Sequence, residues 1–261
     1  MSLTGKSPSE TYKDIIYVNN SNNGVASGNP RPLKSGNGTQ SSLSIDDRSL
    51  QVKSYTDNTI AFEVKNASNT SKFLVDTTNS YVKANGVHVN TQYAHFGIGS
   101  GDSVWAGASA DTHYAVPFNS IATQALVSGG TSTDPATSFT IATTGDDMVG
   151  VLWYVMDDIT IDRIVWWAAN DHASGDVMRT HLMSYTIDSA NGSTSGDLSS
   201  GAVVAYSSDV TSAGSEQSYY NQMTISTANI DAGKALLFFI RTDSTALDTT
   251  INATVKYHIR G

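Results

Sequence analysis

Cysteine is absent from this 261-residue chain, which removes disulfide staples, thiolate nucleophiles and thiolate zinc sites together. Glutamate occurs only at Glu10, Glu63 and Glu216, all in polar or narrow alternating surroundings. Glycoside hydrolysis, which needs two carboxylates across a cleft, therefore finds no nominee. No stretch approaches 18 consecutive apolar residues, so no helix is expected to span a membrane. The opening residues MSLTGKSPSE lack the apolar core of a secretory leader, and a product that folds in a cytoplasm without a signal peptide is expected. Leucine, glutamate and lysine are sparse and no long run has a 3.6-residue period, so the fold class read from the sequence is all-β.

The charge is acidic overall, −9, but unevenly spread. Residues 1–90 hold nine Lys/Arg and seven Asp/Glu, a balance of +2, while the remainder holds six and seventeen, a balance of −11. An acidic outer part disfavours nucleic acid as a partner, because phosphate recognition needs clustered Lys and Arg. The near-neutral front part is free to dock on another protein without repulsion.

What is present is alternation. In Ile60 to Lys83, IAFEVKNASNTSKFLVDTTNSYVK, the residues Ile60, Phe62 and Val64 alternate with Ala61, Glu63 and Lys65. Phe73 and Val75 repeat the pattern after a polar turn (Asn66 to Ser71), and Tyr81-Val82-Lys83 follow a second turn (Asp76 to Ser80). One face of each short strand is apolar and no helix follows to cover it. A segment this narrow cannot bury enough surface by itself. With no disulfide and no metal-ligand cluster available, the remaining cover is another copy of the chain. Ile60, Phe62, Val64, Phe73, Val75 and Val82 are therefore expected at a trimer interface, and residues 51–90 as a short trimeric β shaft.

Before this shaft, Ile15-Ile16-Tyr17-Val18 is the only early apolar run, set between the turn-forming stretches Gly5-Lys6-Ser7-Pro8 and Asn19 to Gly24. The segments Thr4 to Pro8, Tyr12 to Val25 (YKDIIYVNNSNNGV) and Gly36 to Ile45 (GNGTQSSLSI) resemble, in content and order, the opening of tailed-bacteriophage virion appendage proteins, the trimeric fibres, spikes and capsid-attached fibres. The resemblance covers about the first third of the chain. It implies a particle-attachment region over residues 1–50, with Tyr12, Ile15, Ile16, Tyr17 and Val18 against a capsid or tail protein. It also implies a homotrimer located in the virion.

Residues 91–137, rich in glycine and small residues around Gly97–Gly101 and Gly107–Ala110, read as a connecting region. Residues 138–261 read as a β-sandwich head, jelly-roll-like. Its expected strands are 138–142, 148–155, 160–168, 178–187, 202–206, 222–226, 234–241 and 250–258, separated by Gly/Ser/Asp/Asn turns. Two of them, 148–155 and 234–241, are apolar on both faces, whereas a sandwich strand needs only one. Subunit contact is the expected second cover, and a loop folded over that face the alternative. In Trp166-Trp167, neighbours on a strand, one indole is expected inside and the other at an interface or on the surface.

Chemistry is mostly missing. Gly101-Asp102-Ser103-Val104 is similar to the nucleophile block of GDSL-type esterases, with Asp111 and His113 close by. That family is α/β and places its Asp/His pair near the chain end, so no catalytic residue is assigned. His88, His95, His113, His172, His181 and His258 lack zinc-site spacing. The acidic groups Asp146-Asp147 and Asp157-Asp158 with Asp162 lack a calcium-loop spacing. No metal, cofactor or enzyme activity is expected. The leading expectation is a non-enzymatic structural protein of a virion. The alternative is a tail-fibre protein that recognises host surface polysaccharide through Trp105, Tyr114, Trp166, Tyr219 and Tyr220, and a depolymerase or esterase ranks last.

Overall fold

The computed structural model describes residues 16–18, 25, 29–98, 109–119, 127–140, 148–170, 173–244 and 249–260. The chain is all-β, as its alternating pattern requires, and divides into two compact units, Met1–Val89 and Asn90–Gly261.

The first unit consists of two four-stranded antiparallel meanders. One contains β1 (Ile16–Val18), β2 (Arg31–Ser35), β3 (Gln40–Ile45) and β4 (Leu50–Val52), and the other β5 (Phe62–Lys65), β6 (Ser71–Asp76), β7 (Tyr81–Ala84) and β8 (Val87–His88). Side-chain chemistry closes the turns. Asn66 Oδ1 accepts the N–H groups of Ser68 and Thr70 between β5 and β6. Asn85 and Gly86 both take positive φ, 49° and 80°, between β7 and β8, the two-residue turn whose twist suits a hairpin.

In the second unit, β9 (Thr91–Ile98), β12 (Ile159–Asn170), β16 (Gln217–Gln222), β18 (Asn229–Ile230) and β20 (Thr250–Ile259) form a five-stranded sheet, with β16-β12-β20-β9 as its path. A seven-stranded sheet contains β10 (His113–Val116), β11 (Trp153–Tyr154), β13 (Val177–Ile187), β14 (Leu198–Tyr206), β15 (Val210–Thr211), β17 (Thr224–Ile225) and β19 (Lys234–Thr242). Among the main strands only the β13–β14 connection stays within one sheet, and the others cross over, which is the interleaving of a jelly roll. Ile164, Trp166, Ala253, Val255 and Phe96 from the first sheet meet Met178, Leu182, Leu236 and Phe238 from the second in one buried core.

A second core lies on the other face of the seven-stranded sheet, where Met183, Tyr185, Leu237 and Phe239 are covered by Val127, Phe139, Met148 and Val151. The two apolar faces of β19 are thus both satisfied within the chain, and the expected subunit contact at this strand is corrected to a fold-back of the chain's own segments. Glycine makes the close approach possible. A Cβ on Gly201 would sit 2.5 Å from the Tyr185 ring and 2.8 Å from Thr137 Cα, and one on Gly129 would sit 2.8 Å from the Phe239 ring.

Three further expectations are corrected. Residues 91–137 are not a separate connector, because β9 and β10 within them are strands of the two sheets, and Phe96 and Val116 are fully buried. The strand expected over 148–155 is confined to Trp153–Tyr154, since the chain turns at Met148–Val151 and leaves Val149 exposed. The strand expected over 222–226 breaks at buried Met223, where the chain passes from β16 in one sheet to β17 in the other.

Candidate functional site

Burial divides the two units sharply. Among the described residues of the first, no hydrophobic side chain is buried, and Asp76 alone falls in the buried class. Against the cost of its burial, hydrogen bonds from Asn79 and Tyr81 hold the Asp76 carboxyl below its ordinary pKa. The apolar residues lie together instead. Phe62 faces Val75 and Val64 faces Phe73 across β5–β6, while Val75 faces Val82 and Phe73 faces Ala84 across β6–β7. Five of the six expected interface residues thus share one sheet face. The Phe62 and Phe73 rings meet edge-on at 6.1 Å. Ile60 lies just before β5 and is exposed. A groove of about 530 Å³ lined by Leu50, Val52, Ala61, Phe62 and Val75 adjoins this patch. Full burial of each large apolar side chain is worth about 1.5–3 kcal/mol, so a patch of this kind favours association. Of the expected attachment residues, Tyr12 and Ile15 lie outside the described residues. Ile16 and Tyr17 are exposed on β1 and Val18 is half-buried there.

In the second unit the expected ligand-stacking residues scatter. Trp105 lies outside the described residues. Tyr114 is buried, its hydroxyl accepting the Ser109 N–H at 2.8 Å. Trp166 is 0% exposed in the core, so neither ring can stack on a ligand. Tyr219 is half-buried and its hydroxyl accepts the Ala213 N–H. Only Tyr220 is open, at 46% exposure, and its partner is a residue that was not nominated, Trp167, at 58%. The two are cross-strand neighbours on β16 and β12, their ring centroids 5.0 Å apart. On the same outer face Arg163 donates to the Tyr220 hydroxyl at 3.1 Å. Arg163 also pairs in register with Lys256, and Lys256 with exposed Tyr93. Asn252, exposed, is the register partner of Trp167 on β20.

The residues of the weakest chemical reading do not assemble. Ser103 lies outside the described residues, and Asp111 is engaged by Arg241 at 2.5 Å rather than by His113. His113 Nε2 donates to the Ser132 carbonyl at 3.0 Å. Its ring meets that of His181 edge-on, centroids 5.1 Å apart, and the Nδ1 atoms of both are buried without a hydrogen-bond partner. Burial lowers the pKa of both rings. For His181 the neighbouring His113 adds to the effect and the value falls to about 4. Beside this pair Arg179 and Arg241, register partners on β13 and β19, are neutralised by Asp209 at 2.6 Å and by Asp111, and with Asp243 they line a polar cavity of about 200 Å³. Asp158, just before β12, and Asp162, near its start, have protein partners. Asp158 accepts the Ala232 N–H at 2.7 Å and Asp162 meets His258 Nδ1 at 3.0 Å.

The alternating pattern pointed to an exposed Trp in the 166–167 pair, but Arg163, Lys256 and Tyr93 come together only through strand pairing that no spacing in the sequence records. No protein-family model matches the chain, and no curated protein matches it.

Proposed function

We propose that this chain is a non-enzymatic structural protein of a bacteriophage virion. In this reading it is a homotrimeric short fibre or decoration appendage, anchored through residues 1–50 to a capsid or tail component and displaying the Asn90–Gly261 unit outward. The observation that carries the reading is the absence of any buried hydrophobic side chain among the described residues of the first 89, combined with a sheet face that gathers Phe62, Val64, Phe73, Val75 and Val82. Such a unit gains its order from copies of itself, whereas the second unit holds two cores of its own. Three copies are the simplest closed arrangement around a narrow axis, since cyclic symmetry lets each apolar face meet its equivalents. The opening residues, which resemble those of phage appendage proteins, supply the particle and the location.

Light scattering of the full chain in dilute neutral buffer tests the reading. The expected particle has three times the 27.7 kDa chain mass, and Phe62→Asp with Val64→Asp is expected to release single chains whose tryptophan emission is unchanged. A wild-type particle of one chain, with amides of β5–β7 protected from hydrogen exchange, overturns it.

A further inference from the structure

The outer face of the five-stranded sheet combines two features that ordinary surface chemistry does not favour. The first is aromatic. Trp167, Tyr220 and Tyr93 stand exposed on one sheet face, and a half-open indole beside a phenol presents flat apolar surface to water while keeping polar edges wet. The second is electrostatic. Arg163 and Lys256 are direct cross-strand neighbours, an arrangement of like charges that destabilises a sheet. Among the described residues neither forms an ion pair, although this part of the chain carries seventeen carboxylates against six Lys/Arg. The described segments 163–169, 217–222, 250–256 and 93–98, which make up this area of the sheet, contain no Asp or Glu at all. Asp162, the chain neighbour of Arg163 on β12, is occupied by His258 Nδ1 at 3.0 Å, and within these segments an acidic unit sets two cations next to an aromatic pair.

We propose that this face is a binding site for an acidic polysaccharide. A sugar ring lies on Trp167 beside Tyr220, with the Asn252 amide within reach of its hydroxyls, and a uronate carboxylate lies between Arg163 and Lys256. Arg163 is already oriented by its bond to the Tyr220 hydroxyl at 3.1 Å, which limits the side-chain freedom lost on capture of the anion. From Trp167 to Arg163 is four residues along β12, about 13 Å at strand rise, which suits an oligosaccharide segment rather than a single sugar. Nucleic acid is the less favoured polyanion, because its affinity grows with the number of phosphates neutralised and this face offers few cations. The site goes beyond the structural role proposed above and does not depend on it.

Affinity electrophoresis of the full chain tests the site. Native gels would contain polygalacturonate, alginate or hyaluronan, with fully methyl-esterified polygalacturonate as the same backbone without its charge. At least one acidic polymer is expected to retard the wild-type chain and the ester is not. Trp167→Ala is expected to migrate as in an empty gel, and Arg163→Gln with Lys256→Gln to need at least tenfold more polymer for half-retardation. Both variants should keep the wild-type oligomeric state and the emission of buried Trp166, which separates loss of the site from loss of the fold or of assembly. Free migration on all three acidic polymers, equal retardation by the ester, retardation that survives Trp167→Ala, or tighter capture by single-stranded DNA would each overturn the assignment.

Discussion

Lowering the pH should unlock the second unit at a definable place. His181 is 3% exposed, sits edge-on to His113 at 5.1 Å, and lies 3.5 Å from Asp134 on the segment that covers this face. Burial and the neighbouring His113 ring, with the charges of Arg179 and Arg241 added, outweigh the pull of Asp134 and lower its pKa from 6.5 to about 4. The sign follows from proton uptake. Above pH 6.5 the ring is neutral whether the chain is folded or not. Between 6.5 and 4 the unfolded chain binds a proton that the folded chain refuses, so stability falls as pH falls, and the loss levels off below about 4. At about 1.4 kcal/mol for each pH unit of that interval, the loss is about 3 kcal/mol. The assay is urea unfolding at a series of pH values, followed by tryptophan emission. All four tryptophans lie beyond residue 104, so the signal reports the second unit. Wild type should lose about 3 kcal/mol more than His181→Phe between pH 7 and pH 4. Parallel curves for the two proteins would refute the reasoning. His113, shifted in the same direction, contributes to the slope that remains in the variant.

Two adjacent indoles offer a sharp contrast in the same assay. Trp166→Ala empties a fully buried site and should cost about 3–5 kcal/mol, whereas Trp167→Ala should stay within about 0.5 kcal/mol of wild type. Gly201→Ala places a methyl against the Tyr185 ring and the Thr137 backbone, and overpacking of this kind should cost about 1–3 kcal/mol. Because it strikes where the covering segment meets the sheet, faster proteolysis within residues 127–140 should accompany the loss.

Much of the second unit was legible because its long strands alternate. The strands expected over 160–168, 178–187, 234–241 and 250–258 correspond to β12, β13, β19 and β20 with only their ends extended. The choice between the two indoles was not legible. Counting every second residue from Ile159 and Ile161 puts Trp167 inside, but a bulge between Ile161 and Arg163 shifts the count, so that Ile164, Trp166 and Ala168 point inward. One unpaired residue reverses every side chain after it. The cover over β19 was hidden for a different reason. Val127, Phe139, Met148 and Val151 are widely spaced single residues without a period, and only the folded chain collects them. In the first unit the apolar stripe was readable because register pairs Phe62 with Val75 and Val64 with Phe73, as simple alternation around a tight turn requires. The acidic-sugar face was legible only in part, since Arg163 and Lys256 are ninety-odd positions apart and become neighbours through one antiparallel register.

The pairing of β9 with β20 has a mechanical consequence. The chain enters the second unit at β9, and every residue from Thr91 to Ile98 is matched with one from His258 back to Ile251. β9 ends the path of its sheet, so these eight pairs with β20 are its ladder to the rest of that sheet. Such a ladder pulled along its strands must slide as a whole before it parts, while one pulled crosswise opens like a zip. How firmly the first strand of the second unit is held is thus set by one ladder of matched residues rather than by any single bond.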